Sequence, residues 1–338
     1  MNAVNAQWRL AARPLGLPKD SDWEYVEEPA AEPADGQFRV AVEYLSLDPA
    51  MRGWMNEGRS YVPPVGIGEV MRAFGLGRVT ESRHPDFSVG EHVSGVFGVQ
   101  RYVISDGRNV NRVDTSLAPA PVHLGALGMT GLTAYFGLLD VGRPEPGQTV
   151  VVSGAAGAVG SVAGQIARIK GCRAVGIAGG PAKCAWLVEE LGFDAAIDYK
   201  RGDLRADLRR HAPDGVDVYF DNVGGGTLDE VLRRLARGAR VVICGAISQY
   251  NAREAPRGPA NYMQLLVERA SMTGFLVFDY TDRYGEAIAQ LAGWRRAGEL
   301  RSREDVVRGD LEDFPEVFLR LFRGENTGKL ILQLDEPS

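Results

Sequence analysis

A strand-like run, Thr149–Ser153 (TVVVS), breaks at Gly154 into a turn spaced G-x-x-G-x-x-G, with Gly157 and Gly160 as its other glycines, and a helix-like stretch leaves directly from the last of them. No other feature restricts the fold so strongly. A run of valines bounded by turn signals belongs in a sheet buried on both faces. Positions without side chains let the backbone approach a pyrophosphate, whose charge then meets the N-terminus of the helix. The spacing differs from the common G-x-G-x-x-G and also suits a plain tight turn between strand and helix. Its surroundings favour the dinucleotide site. Strands are expected at Thr149–Ser153, Arg173–Ala178, Ala195–Asp198, Val216–Asp221, Ala239–Cys244 and Met272–Phe278. Helices are expected between them, at Val159–Lys170, Ala182–Leu191, Leu204–Arg210, Leu228–Leu235 and Tyr262–Arg269, with Val159, Val162, Ala163 and Ile166 on one face of the first. Six strands joined by crossover helices predict an α/β fold with a doubly wound parallel sheet.

The end of the second strand speaks to which dinucleotide. An NAD site commonly has an acidic residue ~20 residues after the glycine turn, bonded to the ribose 2′-hydroxyl. Here the strand RAVGIA runs out into Gly179, Gly180 and Pro181, with Lys183 close behind. A 2′-phosphate needs a cation and rejects a carboxylate, so the pattern favours NADP. Lys183 alone would pass as a solvated helix residue.

Ahead of this region the chain is turn-rich. Phe38, Val40, Val42 and Tyr44 alternate with Arg39, Ala41 and Glu43, and Leu76–Glu81, Val93–Val96 and Gln100–Ile104 are further short strands. Together they suggest a partly open β-barrel. Val122–Leu139 is apolar enough to be a buried helix, and after Asp305 come a short helix at Pro315–Phe322 and a last strand at Gly328–Leu334. The expected organisation is a first domain over residues 1–123, a nucleotide-binding domain over 124–304, and a tail over 305–338 that returns to the first. A length of 338 residues suits two domains.

Composition removes several other classes. Glycine makes up 42 of the 338 residues without a repeat, which excludes collagen-like and low-complexity readings. A formal charge of −6 argues against a nucleic-acid partner. Cys172, Cys184 and Cys244 form no CxxC pair and suit a reducing cytoplasm. No signal segment is visible, and no stretch nears the ~20 apolar residues of a membrane span. No metal is expected. The first domain lacks cysteine, and His84, His92, His123 and His211 have no ligand-like spacing, whereas a catalytic zinc takes about three protein ligands. Neither G-x-S-x-G nor H-E-x-x-H occurs, so hydrolase readings have no support.

Six segments stand in order along the chain: YLSLDPAMRG (Tyr44–Gly53), GMTGLTAYFGL (Gly128–Leu138), GAAGAVGSVAGQIA (Gly154–Ala167), YFDNVGG (Tyr219–Gly225), CGAISQYN (Cys244–Asn251) and GENTGKL (Gly324–Leu330). They resemble the zinc-free medium-chain dehydrogenase/reductases, in the branch of prostaglandin and leukotriene reductases, plant alkenal double-bond reductases and bacterial curcumin reductase. The resemblance runs from Trp8 to Leu334. It implies a GroES-like barrel domain, a Rossmann domain, NADPH in the cleft between them, and a homodimer. Carried over by motif, it puts Gly157, Ala158, Val159 and Gly160 at the pyrophosphate, beside the Gly154 already read from the turn as cofactor-binding, and Lys183 and Tyr199 at the 2′-phosphate. Asn222, the loop Cys244, Gly245, Ala246, Ile247, Ser248 and Tyr250, the segment Phe275, Leu276 and Val277, and Asn326 would line the rest of the cofactor, with Thr130 near the nicotinamide. Outside their motifs, Asn222 and Asn326 would read as turn residues, and Phe275 and Val277 as strand core.

The reaction implied is reduction of an activated C=C bond, with hydride passing from C4 of NADPH to the β-carbon of an enone or enal. Charge then develops on the carbonyl oxygen and needs a hydrogen-bond donor. Tyr250 is the candidate, because a phenol donates without bringing charge into the pocket. A packing role for that tyrosine stands beside it, as does donation from the ribose hydroxyl of the cofactor. Two departures bear on the proton relay: Ala50 stands where the family has tyrosine in DPYMR, and Val267 where mammalian and plant members carry a tyrosine. They place the chain nearer the bacterial curcumin reductases. Quinone reduction with the same cofactor, and a non-catalytic NADPH-binding structural role, remain the rival readings.

Overall fold

The computed structural model describes residues 3–335. The chain divides into two compact units, Gly125–Arg303 and Met1–Leu124 with Glu304–Ser338.

Gly125–Arg303 is built on six strands: β1 (Thr149–Ser153), β2 (Arg173–Ala178), β3 (Ala195–Asp198), β4 (Val216–Asp221), β5 (Leu235–Ile243) and β6 (Ser271–Gly274). They pair in the order β3-β2-β1-β4-β5-β6, every neighbour parallel. The doubly wound sheet is therefore present, and its order reverses between β1 and β4. All five residues of β1 are buried, as a strand covered on both faces requires. At the other extreme, all four residues of the edge strand β6 are exposed. The helices are α1 (Met129–Phe136), α2 (Ala158–Ile169), α3 (Pro181–Ala185), α4 (Leu204–His211), α5 (Gly225–Leu232), α6 (Met263–Glu268) and α7 (Tyr284–Arg296). Burial of α2 extends through every residue from Gly160 to Ala167, more than the one face expected, because it lies against α1 as well as β1 and β2.

Several expected boundaries move. Val122–Leu139 is not one helix: a 3-10 turn (Ala120–Leu124) precedes α1, and a π turn (Gly137–Gly142) follows it. The glycines decide this. Gly128 is the extended N-cap at which α1 starts afresh, and Thr130 Oγ1 donates back to Gly125 O at 3.0 Å. The helix expected over Ala182–Leu191 is α3 followed by a π turn at Trp186–Glu190. Leu235, expected to end a helix, instead opens β5, which starts four residues earlier than expected with a register shift opposite Val216–Val218. The last strand stops at Gly274 rather than Phe278, because Asp279 N turns back to Leu276 O at 3.1 Å. α7 buries only Ala287, Leu291, Ala292 and Trp294, and no sequence signal singled it out.

The other unit holds a seven-stranded sheet with an open path: Glu304–Gly309, Lys329–Leu334, Phe38–Ser46, Phe74–Ser82, His92–Val96 and Asn111–Arg112, with Tyr102–Ser105 also on Phe38–Ser46. All pairs are antiparallel except the first, which the helix Phe314–Arg323 connects as a parallel crossover. Glu304–Gly309 and the separate antiparallel pair Val4–Leu10 and Trp23–Pro29 were not expected. Phe38, Leu45, Met51, Met55, Met71, Phe314 and Phe318 are fully buried in its core, with Trp23 edge-on to Phe314. Lys329, 2% exposed, donates to Leu47 O and Asp48 Oδ1, both at 2.8 Å, and so ties the last strand to the segment 47–49. A charge this deep needs such a partner.

Candidate active site

β1 delivers Gly154 to the point where the sheet order reverses, the place where open α/β sheets take ligands. Gly154 has φ +57°, a region that residues with a Cβ rarely adopt. Gly157 N donates to Gly154 O at 2.9 Å, and Gly157 is the extended N-cap of α2. A Cβ on Gly160 would stand 2.8 Å from Ala155 Cα and press on the Gly154 carbonyl, which is backbone and cannot swing aside. No side chain caps α2. The first amides of a 12-residue helix, from Ala158 and Val159 onward, are thus left for an acceptor outside the helix. A backbone cradle that a Cβ would fill, closed by a positive helix end, suits a pyrophosphate.

A buried carboxylate holds the neighbouring strand end. Asp221, last residue of β4 and 1% exposed, accepts on Oδ1 from Ser153 Oγ (2.8 Å), Tyr219 Oη (2.7 Å), Val223 N and Gly224 N (3.0 Å each). Its carbonyl takes the amides of Cys244 and Gly245 at 2.9 and 3.1 Å. One residue therefore fixes the ends of β1, β4 and β5 together. Burial first, and the Asp221 charge second, push the Cys244 thiol up to about 12 and the Tyr219 phenol well above its ordinary value. Both stay protonated. Asn222 continues the knot: its Nδ2 donates to Ser153 O at 2.7 Å and its N to Ser153 Oγ at 3.0 Å. Sequence reasoning singled out Asn222 and passed over Asp221, although a carboxylate ending the apolar run VYF was visible.

The loop after β5 folds onto this knot. Ile247 N and Ser248 N donate to Asn222 O and Val223 O, both at 3.2 Å, and Ser248 Oγ donates to Val223 O at 2.6 Å. Tyr250 closes the loop on itself, its hydroxyl accepting from Ala246 N at 3.1 Å and lying over Gly245, where a Cβ would be 3.0 Å away. At the far end of β2, a Cβ on Gly179 would meet both the Tyr199 ring and Lys200 Cε at 3.0 Å, so those side chains lie across the strand end that precedes Lys183 on α3. Asp198 adds a carboxylate there that was not weighed from sequence; its Oδ1 is occupied by the amides of Gly180 (2.8 Å) and Lys200 (3.1 Å).

The remaining candidates are spread more widely. Thr130 is buried near the start of α1. Phe275 and Leu276 are half-buried and Val277 is buried just beyond β6. Val267 is 51% exposed on α6. Asn326 belongs to the other unit, where its Nδ2 donates to Gly328 O at 3.0 Å, the turn role open to it from sequence. Among the described residues, no group of three or more His, Cys, Asp or Glu side chains could hold a metal ion, and no helix is long and apolar enough to cross a membrane.

Residues 6–113 match a family described as the N-terminal domain of oxidoreductases, and residues 158–293 match the family described as zinc-binding dehydrogenase. The chain is 41% identical to the NADPH-dependent curcumin reductase of Escherichia coli, over 98% of this chain and 97% of that one. It is 40% identical to the NADP(+)-dependent 2-alkenal reductase of Nicotiana tabacum, with the same coverage. The crystal structure of CurA from Vibrio vulnificus in complex with NADPH superposes with a TM-score of 0.93 at 44% identity, covering 98% of this chain and all of that one.

Proposed function

The chain belongs to the medium-chain dehydrogenase/reductase family, in the branch that holds the curcumin, 2-alkenal and prostaglandin reductases, and we propose that it uses NADPH to reduce the activated C=C bond of α,β-unsaturated ketones and aldehydes. The observation that carries this reading is the uncapped helix and glycine cradle at the reversal point of the sheet. When bound, NADPH supplies the hydride that goes to the β-carbon of the substrate. The chain does the rest. Gly154, Gly157 and Gly160, with the amides of Ala158 and Val159, hold the pyrophosphate, and Lys183 and Tyr199 hold the 2′-phosphate. Asp221 keeps the cradle and the loop Cys244–Tyr250 in one frame through six hydrogen bonds, four on Oδ1 and two on its carbonyl. Tyr250 is the donor to the carbonyl oxygen as charge builds on it. The Ala246 amide pins the phenol oxygen through one lone pair and so sets the direction in which its proton is offered.

The finer reading is a cytoplasmic homodimer without nucleic-acid or membrane partners. The fully exposed edge of β6 supports a second copy, since an unpaired edge strand is a template for another strand; light scattering should return twice the mass of one chain. The activity itself is tested by following NADPH oxidation by absorbance against enals, enones, curcuminoids and quinones. Enones and enals should be turned over fastest. Preference for quinones would make the chain a quinone reductase, and tight NADPH binding with no turnover would make it a binding protein.

A further inference from the structure

The ladder between β5 and β6 ends at the Ile243–Gly274 pair, so Phe275, Leu276 and Val277 run on beyond it. Contacts outside the sheet must fix them. A Cβ on Gly137 would run into the Phe275 ring, so Phe275 lies in a notch that glycine leaves open, edge-on to Phe220 at 6.5 Å. Val277 is buried, and the hydroxyl of Tyr284, first residue of α7, donates to Val277 O at 3.0 Å. The same hydroxyl stands 3.8 Å from Met129 Sδ, next in sequence to Thr130. One phenol therefore joins the two segments read above as lining the cofactor and facing the nicotinamide.

The ring of Tyr284 has little freedom to leave that position. It stacks beside Phe136 at 6.3 Å, while Phe136 carries Tyr280 at 4.5 Å and lies under the Arg283 guanidinium, itself paired with Asp140. Burial first, and Asp279 second, push the Tyr284 phenol up to about 12, so it remains a donor throughout the neutral range. No motif that relates the chain to its family includes this residue. We infer that Tyr284 is a positioning residue for the reaction: through the Val277 carbonyl it sets the segment 275–277 against Met129–Thr130 and so shapes the seat of the nicotinamide ring. This rests on the NADPH reading proposed above.

Tyr284→Phe keeps the ring and removes the donor. NADPH and 2′,5′-ADP, which carries the adenosine and its 2′-phosphate but no nicotinamide, are titrated separately against wild type and variant. A positioning role weakens NADPH by up to about fivefold, the ceiling reached if the full worth of one neutral hydrogen bond goes into holding the seat, lowers kcat at saturating NADPH, and leaves 2′,5′-ADP unchanged. Retained 2′,5′-ADP binding also shows that the variant is folded. Tyr280→Phe, in the same aromatic stack without the bond to Val277, should leave both ligands and kcat at wild-type values. Equal weakening of both ligands by Tyr284→Phe, or no change in either, overturns the inference; should Tyr284→Phe not fold, hydrogen exchange of the wild-type protein decides, with the amides of residues 275–277 protected by NADPH and not by 2′,5′-ADP, and equal protection by both, or by neither, against it. If the wild-type protein binds neither ligand, the NADPH reading itself fails.

Discussion

Gly160→Ala isolates the cradle from everything else in the protein. Gly160 does not have a positive φ, so alanine can adopt its backbone conformation, and helix propensity favours the change by up to ~1 kcal/mol. Sterics oppose it. The added Cβ would stand 2.8 Å from Ala155 Cα and crowd the Gly154 carbonyl, so the turn itself has to move. Overpacking of this kind costs ~1–3 kcal/mol, which leaves a net loss of about 1 kcal/mol and lowers Tm by ~2–4 °C in a unit of this size. The effect on NADPH should be larger, because the amides that face the pyrophosphate move with the turn. We expect Kd to rise at least tenfold, or ~1.4 kcal/mol. Gly226→Ala is the control: it lies in α5, and a Cβ there meets nothing within 4 Å. Thermal unfolding and a fluorescence titration with NADPH read both quantities. A Gly160→Ala protein with wild-type Kd and wild-type Tm would refute the steric reasoning and the cradle with it.

Lys183→Ala should weaken NADPH about tenfold, ~1.4 kcal/mol, and leave NADH nearly unchanged; equal losses for both would remove Lys183 from the 2′-phosphate. Tyr250→Phe should lower kcat with an enone by ~10²-fold, the usual effect of losing one oxyanion donor, whereas a change within about twofold would make Tyr250 a buttress for Ala246 alone. The Cys244 thiol, pushed up to about 12 by burial and Asp221, should resist alkylation in the native protein at about pH 8 and react once the chain is unfolded. Rapid native labelling of Cys244 would show that the knot around Asp221 opens.

Legibility from sequence followed the density of local signal. Runs such as TVVVS and VDVYF are buried on nearly every residue, so strand and parallel sheet could be read together. Boundaries set by single glycines could not. LGALGMTGLTAYFGLL has the apolarity of one long helix, yet Gly128 caps it afresh and the Gly125 carbonyl takes the Thr130 hydroxyl instead of continuing a helical ladder. α7 stayed hidden because its buried residues are few and partly alanine. At the site, glycine spacing and the missing acid after β2 pointed to a phosphate-rich ligand. The roles of Tyr284 and Asp221 went unread for a different reason: each acts by hydrogen bonds or contacts across the fold, Asp221 reaching Ser153 and Tyr284 reaching Met129. Nothing in local sequence encodes such reach.

The most direct test of the central claim is where the hydride goes. The protein is supplied with NADPH carrying deuterium in the transferable position at C4 and with a conjugated enone, and the product is examined by mass spectrometry and NMR. The expected product is the saturated ketone with deuterium on the former β-carbon. Deuterium on the carbonyl carbon, giving an allylic alcohol with its C=C bond intact, would contradict the account.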